Sequence, residues 1–179
     1  MKHRLFFAIM IQGRVCAEIA SRFEPFQACY EFQSTPIPSE RLHLSLYALF
    51  AGDRIPEPVA KLAERAGGAT RCEKFEITLT RALSFRNTRG KKPFVFGAPS
   101  EAGSVNQLSR RIAGALNALS GSKVHKAQAN TPHVTLIWDP VIISEQRISP
   151  IIMPVREFAL VHSYVGQSRY DILGRWPLV

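Results

Sequence analysis

A histidine followed two places later by a hydroxyl residue, and then by leucine, occurs twice in the chain, as HLSL at 43–46 and HVTL at 133–136. Each copy lies in an apolar run of strand length, LHLSLYALF at 42–50 and PHVTLIWD at 132–139. Residues i and i+2 of a strand share a face. His43 and Ser45 therefore point one way while Leu42, Leu44 and Leu46 point the other, and His133 and Thr135 stand in the same relation to Val134 and Leu136. The copies are ninety positions apart in 179 residues, one in each half. Two such strands side by side about a local two-fold axis would bury the aliphatic faces and gather two imidazoles and two hydroxyls round one point.

The rest of the chain fits such a duplication. RLFFAIMI at 4–11 reads as a buried strand, and Gln12 and Arg14 end the run too early for a signal peptide. Residues 14–28 carry apolar positions at near-helical spacing and predict a short helix ending near Pro25. A helix is expected over 56–66, with proline in its first turn and Gly67-Gly68 as its stop. KFEITLTRALSF at 74–85 and PFVFGA at 93–98 predict a hairpin whose tip is RNTRGKK. Residues 101–120 form the clearest helix, with Val105, Leu108, Ile112, Leu116 and Leu119 on one face. After the second histidine strand, VREFALVHSYV and RYDILGRWPLV read as strands. The predicted order, β α β α β β α β β β, is that of an α+β protein with a mostly antiparallel sheet.

Composition narrows the partner. With 23 basic and 14 acidic residues the chain carries a formal charge of +9, which favours nucleic acid or a phosphorylated metabolite. Three cysteines without a C-x-x-C pair suit reduced thiols in a cytoplasmic protein better than a disulfide framework or a zinc site. No stretch is long enough to span a membrane.

The paired motif suits a phosphodiester. One neutral imidazole can take a proton while a second, protonated, gives one. Displacement at phosphorus is in line, so base and acid must flank it, and each hydroxyl can donate to an anionic oxygen. Neither histidine has further ligands spaced for zinc, and the chemistry needs no metal or other cofactor.

The two motifs, together with RLFFAI at the N-terminus, SERLHLSL, TPHVTL and SRYDILGRWPL, resemble the two-histidine (2H) phosphoesterase superfamily, and within it the RNA 2',3'-cyclic phosphodiesterases, also called 2'-5' RNA ligases. The resemblance spans the whole chain. It implies a bilobal α+β fold, two pseudo-symmetric βαβ-like lobes with antiparallel sheets round a central cleft, in one domain over 1–179. It implies metal-independent hydrolysis of RNA 2',3'-cyclic phosphate ends to 2'-phosphomonoesters, with reversible 2'-5' ligation as a companion activity. His43 would protonate the departing O3', His133 would activate water, and Ser45 and Thr135 would bind the nonbridging oxygens, although the pseudo-symmetry lets the two histidines exchange roles. The chain departs from the pattern twice: Ser45 stands where threonine is more usual, and Trp138 stands near the place where some members carry arginine.

Further candidates are the cations Arg86, Arg89, Lys91 and Lys92 at the hairpin tip, flanked by Phe85 and Phe94 in a pattern that suits single-stranded RNA. Trp138 can stack on a base, and Arg41, which precedes the first motif, could reach the phosphate but reads first as a surface residue. The expected partner is RNA with a cyclic phosphate end or a nucleotide, and the expected state is a monomer. The competing readings are a nucleotide-binding module without turnover and a 2H enzyme acting on small cyclic nucleotides.

Overall fold

The computed structural model describes residues 2–86, 90–99, 103–121 and 131–179. Among the described residues eight strands and three helices follow one another as β1 (His3–Met10), α1 (Arg14–Cys29), β2 (His43–Gly52), α2 (Glu57–Ala69), β3 (Phe75–Ser84), β4 (Lys92–Gly97), α3 (Gly103–Ser120), β5 (His133–Asp139), β6 (Gln146–Val155), β7 (Glu157–Tyr164) and β8 (Arg169–Pro177), with a 3-10 turn at Ser39–Arg41 before β2. All strands join one antiparallel sheet in the order β6-β3-β4-β5-β2-β1-β7-β8. The fold is α+β, as the sequence predicts.

The sheet has an internal symmetry centred between β2 and β5. Those strands are paired at one position only, Leu44 with Val134, the residue after the histidine in each motif. Outward from there β1 corresponds to β4, β7 to β3 and β8 to β6. The helices obey the same relation by exchange. Helix α1 follows β1 but packs beneath the far half of the sheet, where Phe23 and Phe26 meet Phe94 at ring separations of 5.8 and 5.1 Å. Helix α3 follows β4 but packs beneath β2, where the Ser109 hydroxyl donates to the Leu46 carbonyl at 2.9 Å. The main core lies between helices and sheet, with Leu5, Phe7, Leu44, Phe94, Phe96 and Val134 fully buried. A smaller cluster of Phe6, Ala8, Ala159 and Val161, with Tyr170 packed against it, lies on the opposite face.

Three sequence expectations need correction. Helix α1 runs through Pro25 to Cys29. Interior proline costs about 3 kcal/mol, but Pro25 is exposed, so water reaches the carbonyl it leaves unbonded, and burial of Phe26 beyond it returns about 1.5–3 kcal/mol. Helix α2 does not stop at Gly67-Gly68 but continues to Ala69, because Gly67 is the seat of an aromatic ring. A Cβ there would fall 2.5 Å from the Trp176 indole. The sequence reading assigns no element to QRISPIIMPV, which carries prolines at 150 and 154 and forms strand β6. As an edge strand it needs only one of its sides for pairing, and there proline is tolerated. No described helix is long and apolar enough to cross a membrane.

Candidate active site

Between the two halves of the sheet, on the face away from the helices, lies a cleft of about 1280 Å³. His43, Ser45, His133 and Thr135 all line it, so the fold brings together the four residues of the repeated motif. Leu42, Leu44, Leu46, Val134 and Leu136 are buried beneath them, as strand alternation requires. Carried one residue either way from Leu44 and Val134, the antiparallel register sets His43 opposite Thr135 and Ser45 opposite His133. Each imidazole thus faces the hydroxyl of the other strand.

Both strands bulge at the same place. In β2, Ser45 pairs with Ala8 and Tyr47 with Phe7, so Leu46 is the extra residue; in β5, Thr135 pairs with Val95 and Ile137 with Phe94, so Leu136 is. A bulge lets two successive side chains turn to one face. Leu136 and Ile137 are both buried, and Trp138 therefore returns to the cleft, 44% exposed. Unbroken alternation would have turned it into the core. The next residue, Asp139, is fully buried and accepts backbone N–H bonds from Gln33 and Ser34, each at 2.8 Å, and from Val141 at 3.1 Å. Burial alone would raise its pKa, but hydrogen bonding from Val141, Gln33 and Ser34 outweighs it and holds the carboxyl below its ordinary value. Asp139 so fastens the 33–38 segment alongside β5, where Ile37 N–H also donates to the Leu136 carbonyl at 2.7 Å, and that segment forms a cleft wall beside Trp138.

The two histidines are held alike. His43 Nδ1 lies 2.7 Å from the Arg41 carbonyl and His133 Nδ1 lies 2.8 Å from the Thr131 carbonyl, in each case two residues earlier. A carbonyl only accepts, so each Nδ1 carries the proton and each Nε2 is left for chemistry. Burial lowers the pKa of both rings. The Arg41 carbonyl works against that for His43, while the charges of His133 and Arg41 lower it further. Phe6 and Tyr170 pack round His43 at ring separations of 5.2 and 5.6 Å, and the Phe85 edge meets His133 at 4.8 Å. The described lining contains Arg4, Arg41 and Lys91 and no aspartate or glutamate, which suits an anion.

The remaining candidates divide. Arg86 is exposed and is not among the described residues lining the cleft, whereas Lys91 is. Arg89 lies outside the described residues. Phe94 is no stacking surface: it is fully buried among Phe23, Phe26 and Phe32. His162 shares the face of Leu160, away from the cleft, and lies 2.7 Å from His3 Nδ1. Arg41 is the residue the sequence reading undervalued. It is half-buried and lines the cleft, with its Cζ 4.6 Å from the Tyr170 ring centroid. The only local signal for it was its place two residues before His43; it lies in the 3-10 turn, outside the strand whose parity orients His43 and Ser45.

An antiparallel α+β fold that presents two symmetry-related histidine–hydroxyl strands to one cleft defines the two-histidine class of phosphoesterases. The chain belongs to the 2'-5' RNA ligase superfamily, whose family model matches residues 15–141. No curated protein matches it at the level of sequence. Among solved structures it is similar to E. coli LigT in apo form, at 25% identity and a TM-score of 0.72 over 99% of this chain and 98% of that one. The same E. coli protein complexed with 3'-AMP gives 26% identity and 0.69 over 99% of both chains. A further structure described as a phosphoesterase gives 25% and 0.71 over 98% of both. The chain is accordingly an enzyme of the phosphoesterase and ligase kind.

Proposed function

We propose that the chain hydrolyses RNA ends bearing a 2',3'-cyclic phosphate to 2'-phosphomonoesters, with His43 and His133 as acid and base and without a metal. Water attacks phosphorus opposite O3'. Nε2 of His133 takes the proton of that water, the P–O3' bond breaks, and Nε2 of His43 gives its proton to O3'. The hydroxyls of Ser45 and Thr135 donate to the two nonbridging oxygens, where negative charge grows in the transition state. If a ribose 5'-hydroxyl replaces water, the same steps form a 2'-5' linkage, which is the ligation in its simplest form. Trp138 offers its exposed face to the terminal base, and Lys91 supplies a cation at the cleft wall.

The observation that carries this reading is the matched pair of backbone clamps, which leaves an Nε2 free on each imidazole beside a hydroxyl of the opposite strand. The bound 3'-AMP of the E. coli relative supports a nucleotide as ligand. The test is incubation with an RNA oligonucleotide ending in 2',3'-cyclic phosphate in the presence of EDTA. A product resistant to a 3'-specific phosphatase and sensitive to a general one is the expected 2'-phosphate. A 3'-phosphate, or turnover that requires added metal, would overturn the mechanism.

A further inference from the structure

The cleft shares Arg41, Ser168 and Tyr170 with a second cavity of about 540 Å³, to which Gln12, Arg169 and Arg175 also contribute. We propose that Arg41 and this cavity hold a second phosphate of the substrate, the one on the 5' side of the nucleotide whose cyclic phosphate lies between the histidines. The proposal rests on the nucleotide reading above and deepens it: the preferred substrate is a 5'-phosphorylated or polymeric RNA end rather than a nucleoside cyclic phosphate.

Three features of Arg41 support it. Its backbone is fixed, because its carbonyl accepts the His43 Nδ1–H at 2.7 Å. Its guanidinium is also fixed, lying 4.6 Å from the centroid of Tyr170, a ring itself 5.6 Å from that of His43. A guanidinium stacked on an aromatic face keeps its N–H edge free for a planar, bidentate contact with phosphate. Finally, among the described residues Nε of Arg41 is buried without a hydrogen-bond partner, and no described carboxylate pairs with the guanidinium. A buried cationic donor left unsatisfied is costly, and an anionic ligand removes the cost.

The neighbouring cations do not compete for this role. Arg169 is bonded to Asp171 at 3.0 and 3.1 Å, and Arg175 to Glu157 at 2.6 Å. Glu40 also borders the second cavity, its carboxylate accepting from the Ser39 hydroxyl at 3.4 Å and keeping its charge, so Arg41 would hold the phosphate through its directed N–H donors and not through the net charge of the cavity. Position separates Arg41 from the hydroxyls. Ser45 and Thr135 line the cleft alone, while Arg41 stands where cleft and cavity meet. A cyclic phosphate terminates its strand, so every other phosphate of an RNA end lies on the 5' side.

Equilibrium binding tests this without depending on turnover. Adenosine 2'-monophosphate and adenosine 2',5'-bisphosphate are titrated against the full chain and against Arg41→Ala and Arg41→Lys. The wild type should bind the bisphosphate at least tenfold more tightly. Arg41→Ala should lose about 10–100-fold on the bisphosphate, the range of charge-assisted hydrogen bonds, and much less on the monophosphate, with an unchanged circular dichroism spectrum. Arg41→Lys should recover part of the loss, since it keeps the charge without the fork. Equal losses on both ligands would place Arg41 on the scissile phosphate and overturn the proposal, as would no loss on either or no wild-type preference for the bisphosphate. A bisphosphate preference that depends on Arg41 in a protein that turns over no cyclic phosphate would leave the second-phosphate site standing and sink the phosphodiesterase reading instead.

Discussion

His43 and His133 each have one nitrogen committed to a carbonyl two residues back, and this makes their loss hard to compensate. Replacing either by alanine should lower kcat/KM by about 10²–10⁴-fold, the usual contribution of a general acid or base, while far-ultraviolet circular dichroism stays unchanged. Activity within tenfold of wild type in either variant would exclude the mechanism. The pH profile carries a second test. Burial lowers both pKa values, and the charges of His133 and Arg41 add to the effect on His43. The active form carries one proton on the pair: the base is lost as pH falls, the acid as pH rises. Because both folded values lie below about 6.5, the unperturbed value for histidine, kcat/KM should be bell-shaped with its maximum on the acid side of pH 6.5. A maximum above pH 7 would contradict it. The two limbs belong to the coupled pair and not to single residues. At this scale the repeated H-x-[S/T]-L made the centre of the site legible, because strand parity depends only on sequence. Trp138 and Arg41 were less so: one reaches the cleft through a bulge, the other through a stack on a residue 129 positions away.

Single elements show why some boundaries resist sequence reading. A glycine pair after an amphipathic stretch ordinarily ends a helix, yet α2 passes through Gly67-Gly68 because Trp176, distant in sequence, packs onto the first of them. Nothing local announces that contact. The proline-bearing β6 has the same character, since its place at the sheet edge is a property of the assembled fold. The two glycines give opposite predictions. Alanine in place of a helix-interior glycine normally stabilises by about 0.5–1 kcal/mol. At Gly68 the nearest atom to an added Cβ is Trp176 Nε1 at 3.7 Å, an ordinary contact, so Gly68→Ala should raise stability by about that amount. At Gly67 the added methyl meets the indole at 2.5 Å, and overpacking of about 1–3 kcal/mol exceeds the helical gain. Urea denaturation of both variants should therefore show the midpoint moving up for one and down for the other. If both move up, the Trp176 contact is not what keeps glycine at 67.

Across the whole molecule the same symmetry that pairs the histidines ties the two halves of the sheet together. They share one residue pair, Leu44 with Val134, and on strand pairing alone they could open independently. The helices prevent that, because α1 leaves the half that carries β1 to pack under the other, and α3 makes the reverse crossing to reach Leu46. Unfolding either half strips the other of a helix that covers its core. We therefore expect one cooperative transition, the behaviour of a single domain with two intertwined lobes. Two tryptophans are placed to test it: Trp138 stands on β5 in one half, and Trp176 stands on β8 in the other. In Trp138→Phe the fluorescence reports Trp176, and in Trp176→Phe it reports Trp138. Each signal is followed in urea beside the far-ultraviolet circular dichroism of the same variant, so that any change in stability from the substitution cancels within each pair. Coincident fluorescence and dichroism midpoints in both variants, with equal m-values, are the expected result. A fluorescence midpoint that leads or trails the dichroism in either variant would mean that one half melts before the other. The helix exchange would then be too weak to couple them, and the distance between the two histidines, one on each side of the joint, would be free to vary in the folded protein.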